Sequence, residues 1–209
     1  MYKPIRVQFC KRDAAVYFSH LDLNRTVMRL LRKSGIDFWY TEGFNPHPHV
    51  VFAAPLSLGF ESECEIFEFK ADDSFGLREK IKLKSVFPDS LQIKEIYESS
   101  RKFGEIAYAR YEIIFAKNED ILPLFDAPLT ALKKTKRSEN IVDVRAYLSD
   151  VAQGTDSNGK TVFTADFCFG SNNLNPNVFL SALAEKGIDI ENACVRRIAF
   201  LDAQKNCFR

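Results

Sequence analysis

The order of predicted strands and helices is the same in the two halves of the chain. Residues 5–9 alternate between apolar and polar, which is typical of a strand with one buried face, and the pattern continues as helix, strand, strand, helix, strand. A polar segment at residues 99–105 ends this half, and the same order then begins again. Two β-α-β-β-α-β halves indicate an α+β protein of two tandem ferredoxin-like units, which we place at residues 1–100 and 106–203.

The predicted elements divide evenly between these units. In the first unit we expect strands at 5–9, 36–42, 61–70 and 91–98 and helices at 19–34 and 75–86. In the second we expect strands at 108–116, 141–151, 161–169 and 195–201 and helices at 120–134 and 177–186. The helix at 120–134 contains two prolines, which disfavour a helix interior. The residues after Asp202 are expected to form a frayed tail.

The helix predicted for residues 19–34 carries two separate stripes of side chains. Its start is indicated by Ser19 with Asp22 three residues later, close to a capping box, and its end by Gly35. One stripe is apolar and suits a core: Leu23, Val27, Leu30 and Leu31. The other is basic and puts three guanidinium groups on one face at i, i+4 and i+7: Arg25, Arg29 and Arg32.

A proline-rich loop follows the next strand pattern. Within the loop FNPHP, Pro46 and Pro48 lack amide donors and hold Asn45 and His47 in extended conformations. His47 and His49 are two residues apart, so their rings point the same way in an extended segment. The loop therefore cannot continue a sheet and is a candidate site.

Aromatic residues cluster just before and within this loop. Strand alternation puts Phe38 and Tyr40 on one side and Trp39 on the other, so at least one of these rings should lie at the surface. Exposed rings here, Phe44 among them, can stack on unpaired bases. In most proteins, aromatic residues on a strand belong to the core.

Charge is distributed unevenly along the chain. The total is +1, but residues 1–60 carry +4 and the remainder −3. This asymmetry points to an anionic partner near the N-terminal end. A second basic run precedes the VDVR segment and either extends such a site or suits a helix C-terminus: Lys133, Lys134, Lys136 and Arg137.

Composition narrows the class of protein. The N-terminus has no apolar signal segment and no apolar run is long enough to span a bilayer, so we expect a cytoplasmic protein without a membrane contact. The five cysteines are far apart and form no CxxC pair, which favours reduced thiols. Their spacing excludes a three-cysteine iron–sulfur motif of the radical SAM type, and we expect no cofactor.

Four motifs in a fixed order resemble those of the radical SAM-linked protein family. They are RxxFxK (Arg6, Phe9 and Lys11), SHLD followed by the arginines, EGFNPHP, and PLSLGFES, with a looser match at VDVR. The resemblance implies a domain of unknown function that is fused to, or encoded beside, a cobalamin-binding radical SAM enzyme. It implies an accessory role, such as delivering RNA to that enzyme. This chain departs from the family pattern at His49, where a lysine or arginine is more common.

We therefore expect one anion-binding site in the first unit. Its residues would be Lys11, His20, Arg25, Arg29, Arg32, Asn45, His47 and His49. Guanidinium groups bind phosphates through two oxygens at once, and contacts to RNA begin at its backbone. The expected function is that of a non-catalytic adaptor that binds RNA and works with a separate radical SAM enzyme.

Three alternatives remain. His20, His47 and His49 can bind a transition metal, although a lysine at position 49 in relatives weakens this interpretation. His20 can act as the general base of a metal-independent ribonuclease or an RNA-modifying enzyme, an idea that depends on analogy of fold. The chain can also be a pure protein-interaction module whose exposed aromatic residues contact the enzyme.

Overall fold

Antiparallel strands and a few helices build both parts of the chain, which confirms the predicted α+β class. The computed structural model describes residues 2–44, 46–134 and 139–209. Residues up to Phe103, together with Arg209, form a first unit, and Gly104–Phe208 form a second. No helix in the described residues has both the length and the apolar character that crossing a membrane requires. All five cysteines are free thiols.

The first unit is a sheet covered on one face by two helices. Its elements are β1 (Lys3–Lys11), α1 (His20–Ser34), β2 (Val51–Phe52), β3 (Glu61–Ala71), α2 (Leu77–Val86) and β4 (Ile93–Glu98). The strands lie in the order β4-β1-β3-β2 and every pair is antiparallel. Alternation turns Val7 and Phe67, among others, towards the helices, where the core forms.

Helix α1 begins and ends where its sequence signals indicate. The Ser19 Oγ accepts a hydrogen bond from the Asp22 amide at 3.2 Å, and Gly35 ends the helix with φ +62°, in the left-handed region. The apolar stripe is buried in the core through Leu23, Val27 and Leu31. The predicted helix was therefore correct at both ends.

The strand predicted for residues 36–42 is wrong. Only isolated bridges form there, between Phe38 and Ala71 and between Tyr40 and Pro48. Trp39 donates its amide to the Lys70 carbonyl at 2.8 Å, after which the chain leaves the sheet and folds back on itself. The strand at this sheet edge is consequently reduced to the two residues of β2.

The second unit contains a sheet and a separate two-stranded hairpin. Its elements are β5 (Tyr108–Ile114), β6 (Thr130–Lys134), β7 (Glu139–Asp143), β8 (Leu148–Thr155), β9 (Thr161–Cys168), α3 (Pro176–Glu185) and β10 (Cys194–Leu201). The sheet has the order β10-β5-β9-β8, with antiparallel pairs throughout. Strands β6 and β7 pair only with each other in the described part of the chain.

The helix predicted for residues 120–134 is wrong. A 3-10 turn at Leu122–Asp126 and strand β6 take its place. Pro123 fits the first turn of the short helix, but Pro128 disfavours the helical conformation at the residue before it. The pair of ferredoxin-like units is not confirmed, because a hairpin replaces this helix and β2 has only two residues.

The predicted strand 141–151 is interrupted. The Asp143 carboxylate accepts a hydrogen bond from the Arg145 amide at 3.2 Å and starts a 3-10 turn at Val144–Tyr147, after which β8 begins. Asp143 and Arg145 are the charged residues of VDVR, and their side chains form an ion pair at 2.7 Å. Their role is to shape this turn.

The predicted frayed tail is wrong. The Asp202 carboxylate accepts hydrogen bonds from the amides of Gln204 and Asn206, which forms a turn after β10. Phe208 then returns to the sheet, is buried, and donates its amide to the Phe200 carbonyl at 2.8 Å. The C-terminus of the second unit is therefore an ordered part of its core.

Candidate functional site

The three arginines of α1 form an exposed row. We call Arg25, Arg29 and Arg32 the arginine row. Each is exposed, and none forms an ion pair with any residue in the described part of the chain. Because a helix turns by about 100° per residue, the row lies opposite the buried stripe of Leu23, Val27 and Leu31. The guanidinium groups therefore face solvent and lack an ion-pair partner among the described residues.

The nearest carboxylate on the helix is already engaged. Asp22 lies in the first turn of α1, and its Oδ2 accepts a hydrogen bond from the Ser19 hydroxyl at 2.6 Å. It caps the helix, as the sequence indicates. Within the described residues, Asp22 forms no ion pair with the arginine row.

His20 lies on a different side of α1. It is exposed, and its ring makes an edge contact with Phe52 of β2, with ring centroids 5.3 Å apart. Since roughly 120–180° of helix rotation separates His20 from the arginine row, the structure does not bring them together. No hydrogen bond from a described residue orients the imidazole.

The described residues of 39–49 form a hairpin, which we call the arm. The proline-rich loop lies towards its tip. His49 donates its amide to the Trp39 carbonyl at 3.4 Å, and Thr41 donates its amide to the His47 carbonyl at 2.9 Å. The His47 amide donates to the Thr41 hydroxyl at 3.2 Å. The pair Tyr40 and Pro48 bridges between these contacts. Asn45 lies outside the described residues, so its predicted role is not tested.

One face of the arm combines an indole with an ammonium and an imidazole. The Lys70 Nζ lies 5.2 Å from the Trp39 ring centroid, and the His49 ring meets Trp39 edge-on with centroids 5.4 Å apart. Next to them, the His47 Nδ1 is 3.1 Å from the Thr41 hydroxyl. Lys70 is exposed, and its ammonium forms no ion pair within the described residues. This face can hold an anion or an aromatic ring.

The arm and His20 lie on opposite faces of the sheet. Phe52, which His20 contacts, packs against the core beneath the helices. Lys70 alternates with the buried Phe69 and Ala71 and so points away from the helices. His49 lies on this second side, against Trp39. Within residues 2–44, 46–134 and 139–209, no group of three or more His, Cys, Asp or Glu side chains is arranged to hold a metal.

The RxxFxK motif lies in the interior. Lys11 is buried and donates a hydrogen bond to the Val16 carbonyl at 3.1 Å, so it is not presented to a ligand as predicted. Arg6 is also buried, with its Nε 3.0 Å from Glu68 and its guanidinium 4.4 Å from the Phe103 ring centroid. This motif stabilises the fold.

The basic run of the second unit is partly neutralised. Lys134 pairs with Glu139 at 2.9 Å across the β6–β7 hairpin. The Lys133 ammonium lies 4.4 Å from the Tyr147 ring centroid. Lys136 and Arg137 lie outside the described residues. The run is not at a helix C-terminus, because the expected helix is absent.

A buried carboxylate with two cationic partners lies in the second unit. Asp166 is fully buried and accepts hydrogen bonds from the Arg110 Nε at 2.6 Å and the Lys205 Nζ at 2.9 Å. Burial acts to raise the pKa of Asp166, but these hydrogen bonds outweigh it and lower that pKa. The same pairing raises the pKa of Arg110. The cluster fixes the C-terminal turn to the sheet.

Sequence analysis missed two residues of the arm surface. Lys70 is exposed near the end of β3. Strand alternation in the sequence predicts this exposure but does not show that Lys70 lies beside the arm. Thr41 becomes notable only through its hydrogen bond to His47. Both depend on the hairpin, which replaced the predicted strand.

Comparison with known proteins identifies a family but no activity. A family model described as "Uncharacterized protein conserved in bacteria (DUF2344)" matches residues 4–176. No curated protein matches the chain. The family description names neither a reaction nor a radical SAM enzyme.

Proposed function

The chain belongs to the DUF2344 family of uncharacterized bacterial proteins, and we propose that it is a non-catalytic RNA-binding protein that holds the RNA backbone on the arginine row. The observation that carries this proposal is the exposure of three guanidinium groups on one helix face without an ion pair in the described residues. Charged side chains on a protein surface gain little stability from lacking an ion-pair partner. Their arrangement suits a polyanion.

The spacing of the row supports a backbone contact. Along the helix axis, Arg25 and Arg29 are separated by about 6 Å and Arg29 and Arg32 by about 4.5 Å. Long, flexible side chains can adjust this spacing to successive phosphates, and each guanidinium can bind two phosphate oxygens. Such contacts give affinity without sequence preference.

The accessory role remains part of the proposal. The motif resemblance implies a separate radical SAM enzyme as partner, and RNA held on the first unit would be its substrate. Within this proposal the chain positions RNA and does not change it. Copurification of the partner enzyme with the chain, in an RNA-dependent manner, would support this role.

We also propose that each unit is a variant of the ferredoxin-like arrangement, with boundaries near residues 1–100 and 106–203. The strand orders β4-β1-β3-β2 and β10-β5-β9-β8 support this, because corresponding strands take the same positions in the two units. The second unit would then carry a hairpin where the first helix of the arrangement normally lies. An experimental structure compared with ferredoxin-like domains tests this assignment.

Salt-dependent binding tests the RNA proposal. The affinity for a single-stranded RNA is measured at several salt concentrations for the wild type and for the triple variant Arg25→Ala, Arg29→Ala, Arg32→Ala. For single strands the slope of log K against log salt changes by about 0.7 per phosphate contact, so the triple variant should lose about 2 from the slope. Exposed arginines on a helix rarely affect stability, so the variant should stay folded.

The matched control is Arg78→Ala on α2. Arg78 is also exposed on a helix of the same unit and forms no ion pair within the described residues. Its removal should leave the slope unchanged or nearly so. If the triple variant binds RNA with the wild-type slope, or the wild type does not bind RNA at all, the proposal is wrong.

A further inference from the structure

The tip of the arm carries a fully exposed aromatic side chain. Phe44 has a relative exposure of 111%, the highest of the large apolar residues in the described part of the chain. Single exposed apolar residues are common on protein surfaces, but most retain some contact with their surroundings. A fully exposed phenyl ring is available for contact with a ligand.

The stem of the arm fixes the direction of this tip. Backbone hydrogen bonds join Trp39 to His49 and Thr41 to His47. At the base, Phe38 is buried and stacks on Tyr40 with ring centroids 4.9 Å apart, which anchors the arm in the core. The exposed ring therefore projects from a stem that is held by backbone hydrogen bonds and by the buried Phe38.

The turn depends on a glycine. Gly43, directly before Phe44, has φ +120°, a value that side chains other than glycine rarely adopt. A Cβ at this position would have no atom within 4 Å, so the cost of a larger residue would be in the backbone conformation alone. Substitution at this position should misdirect the tip while leaving its charge unchanged.

The chemistry of the arm favours a nucleobase over an apolar protein partner. Its face carries the Trp39 indole, the Lys70 ammonium and the imidazoles of His47 and His49. Charged residues are depleted at the centre of protein interfaces, and here a lysine ammonium lies beside the indole. Aromatic rings with adjacent cations are the combination that binds single-stranded nucleic acid.

We propose that Phe44 stacks on an unpaired base, so that the ligand of this protein is RNA with a single-stranded segment. This inference rests on the proposed function. The arginine row would supply backbone affinity, and the arm would distinguish single-stranded from fully paired RNA. The two surfaces are separate, so their contributions can be removed one at a time.

The experiment compares a single-stranded RNA with a duplex of the same length, using Phe44→Ala and Phe44→Trp. We expect Phe44→Ala to weaken binding of the single strand by roughly five- to a hundredfold, with an unchanged salt slope and little change for the duplex. Phe44→Trp should retain affinity. Its added indole fluorescence should be quenched by the single strand and not by the duplex.

Two control variants accompany these measurements. Tyr17→Ala removes another exposed aromatic residue of the same unit, 74% exposed, and should leave both affinities unchanged. Gly43→Ala should weaken binding of the single strand while Phe44 is still present. The thermal stability of the Phe44 and Tyr17 variants should be close to wild type, since neither residue contributes to the core.

The inference is overturned if Phe44→Ala binds single-stranded RNA as tightly as the wild type, in which case a protein partner would be the candidate occupant of the tip. Equal weakening by Tyr17→Ala would overturn it as well. These outcomes differ from failure of the proposed function, which appears as an absence of wild-type RNA binding or as a wild-type salt slope in the triple arginine variant.

Discussion

Arg6 is a buried cation that stabilises the first unit. It is buried, pairs with Glu68, donates a hydrogen bond from its Nη1 to the Ser99 hydroxyl at 2.8 Å, and lies over the Phe103 ring. Because the guanidinium links β1 with β3 and with the segment after β4, it connects parts of the first unit that are distant in sequence. A residue from a family motif is therefore structural in this case.

We predict that Arg6→Ala destabilises the protein without a direct effect on RNA binding. Removing one partner of a buried ion pair costs about 3–5 kcal/mol, here because the Glu68 carboxylate loses its partner. Urea unfolding measures the loss. The fraction that remains folded should bind RNA with the wild-type salt slope, and a reduced slope would mean that Arg6 contacts the ligand.

Asp166 gives the stability of the second unit a pH dependence. Its pKa is lower in the folded protein than in an unfolded chain, where it is near 3.9. The stabilisation is thus fully present above about pH 4 and is lost as the pH falls through the lower, folded pKa. We expect a decrease in the free energy of unfolding between pH 4 and more acidic values.

The variant Asp166→Asn isolates this contribution. At pH 7 it should reduce the free energy of unfolding by about 1.5–3 kcal/mol, because Arg110 and Lys205 would lose charge-assisted hydrogen bonds to Asp166 while each still lies within 4 Å of Asp150. Its loss of stability on acidification should be smaller than that of the wild type. A parallel pH dependence of wild type and variant would contradict the role of this carboxylate.

Helix α1 supports the arginine row. Its N-terminus is held by the Ser19 cap and its end by Gly35. We predict that Ser19→Ala costs about 1 kcal/mol of stability, whereas Ser19→Thr, which keeps a hydroxyl acceptor, costs less. Thermal unfolding of the two variants measures the difference. Equal stability of both variants would show that the cap does not matter.

The contrast between α1 and residues 120–134 explains what the sequence could predict. The limits of α1 depend on local signals, namely Ser19 and Gly35, that act within one turn of the chain. In the second unit, Pro123 and Pro128 disfavour a long helix, but the structure that forms in its place is a hairpin whose other strand, β7, follows the segment. Such pairing depends on tertiary context, which local propensity does not contain.

The candidate site shows the same division. Exposure of Arg25, Arg29 and Arg32 follows from helical spacing and was predictable. The separation of His20 from the histidines of the arm was not, because it depends on which face of the sheet each element covers. Burial of Lys11 was likewise not predictable from the sequence. It donates a hydrogen bond to the Val16 carbonyl, and a backbone acceptor has no recognisable sequence pattern.

The excess of positive charge is in the first 60 residues, while the remainder of the chain is negative. Several cations of the second unit are engaged in ion pairs, including Lys117 with Asp189 at 2.5 Å, which raises the pKa of that lysine. An RNA bound through electrostatic contacts should therefore be attracted mainly to the first unit.

We predict that neutralising exposed lysines of the second unit leaves RNA binding unchanged. Lys160 and Lys186 are both exposed, and the double variant Lys160→Ala, Lys186→Ala removes two charges, one fewer than the triple arginine variant. If net charge alone governed binding, it would lower the salt slope by nearly as much. We expect the wild-type slope in filter binding or fluorescence titration, because phosphate contacts release counterions only where they form. A slope lowered by more than about 1 would show that the RNA contacts the second unit as well.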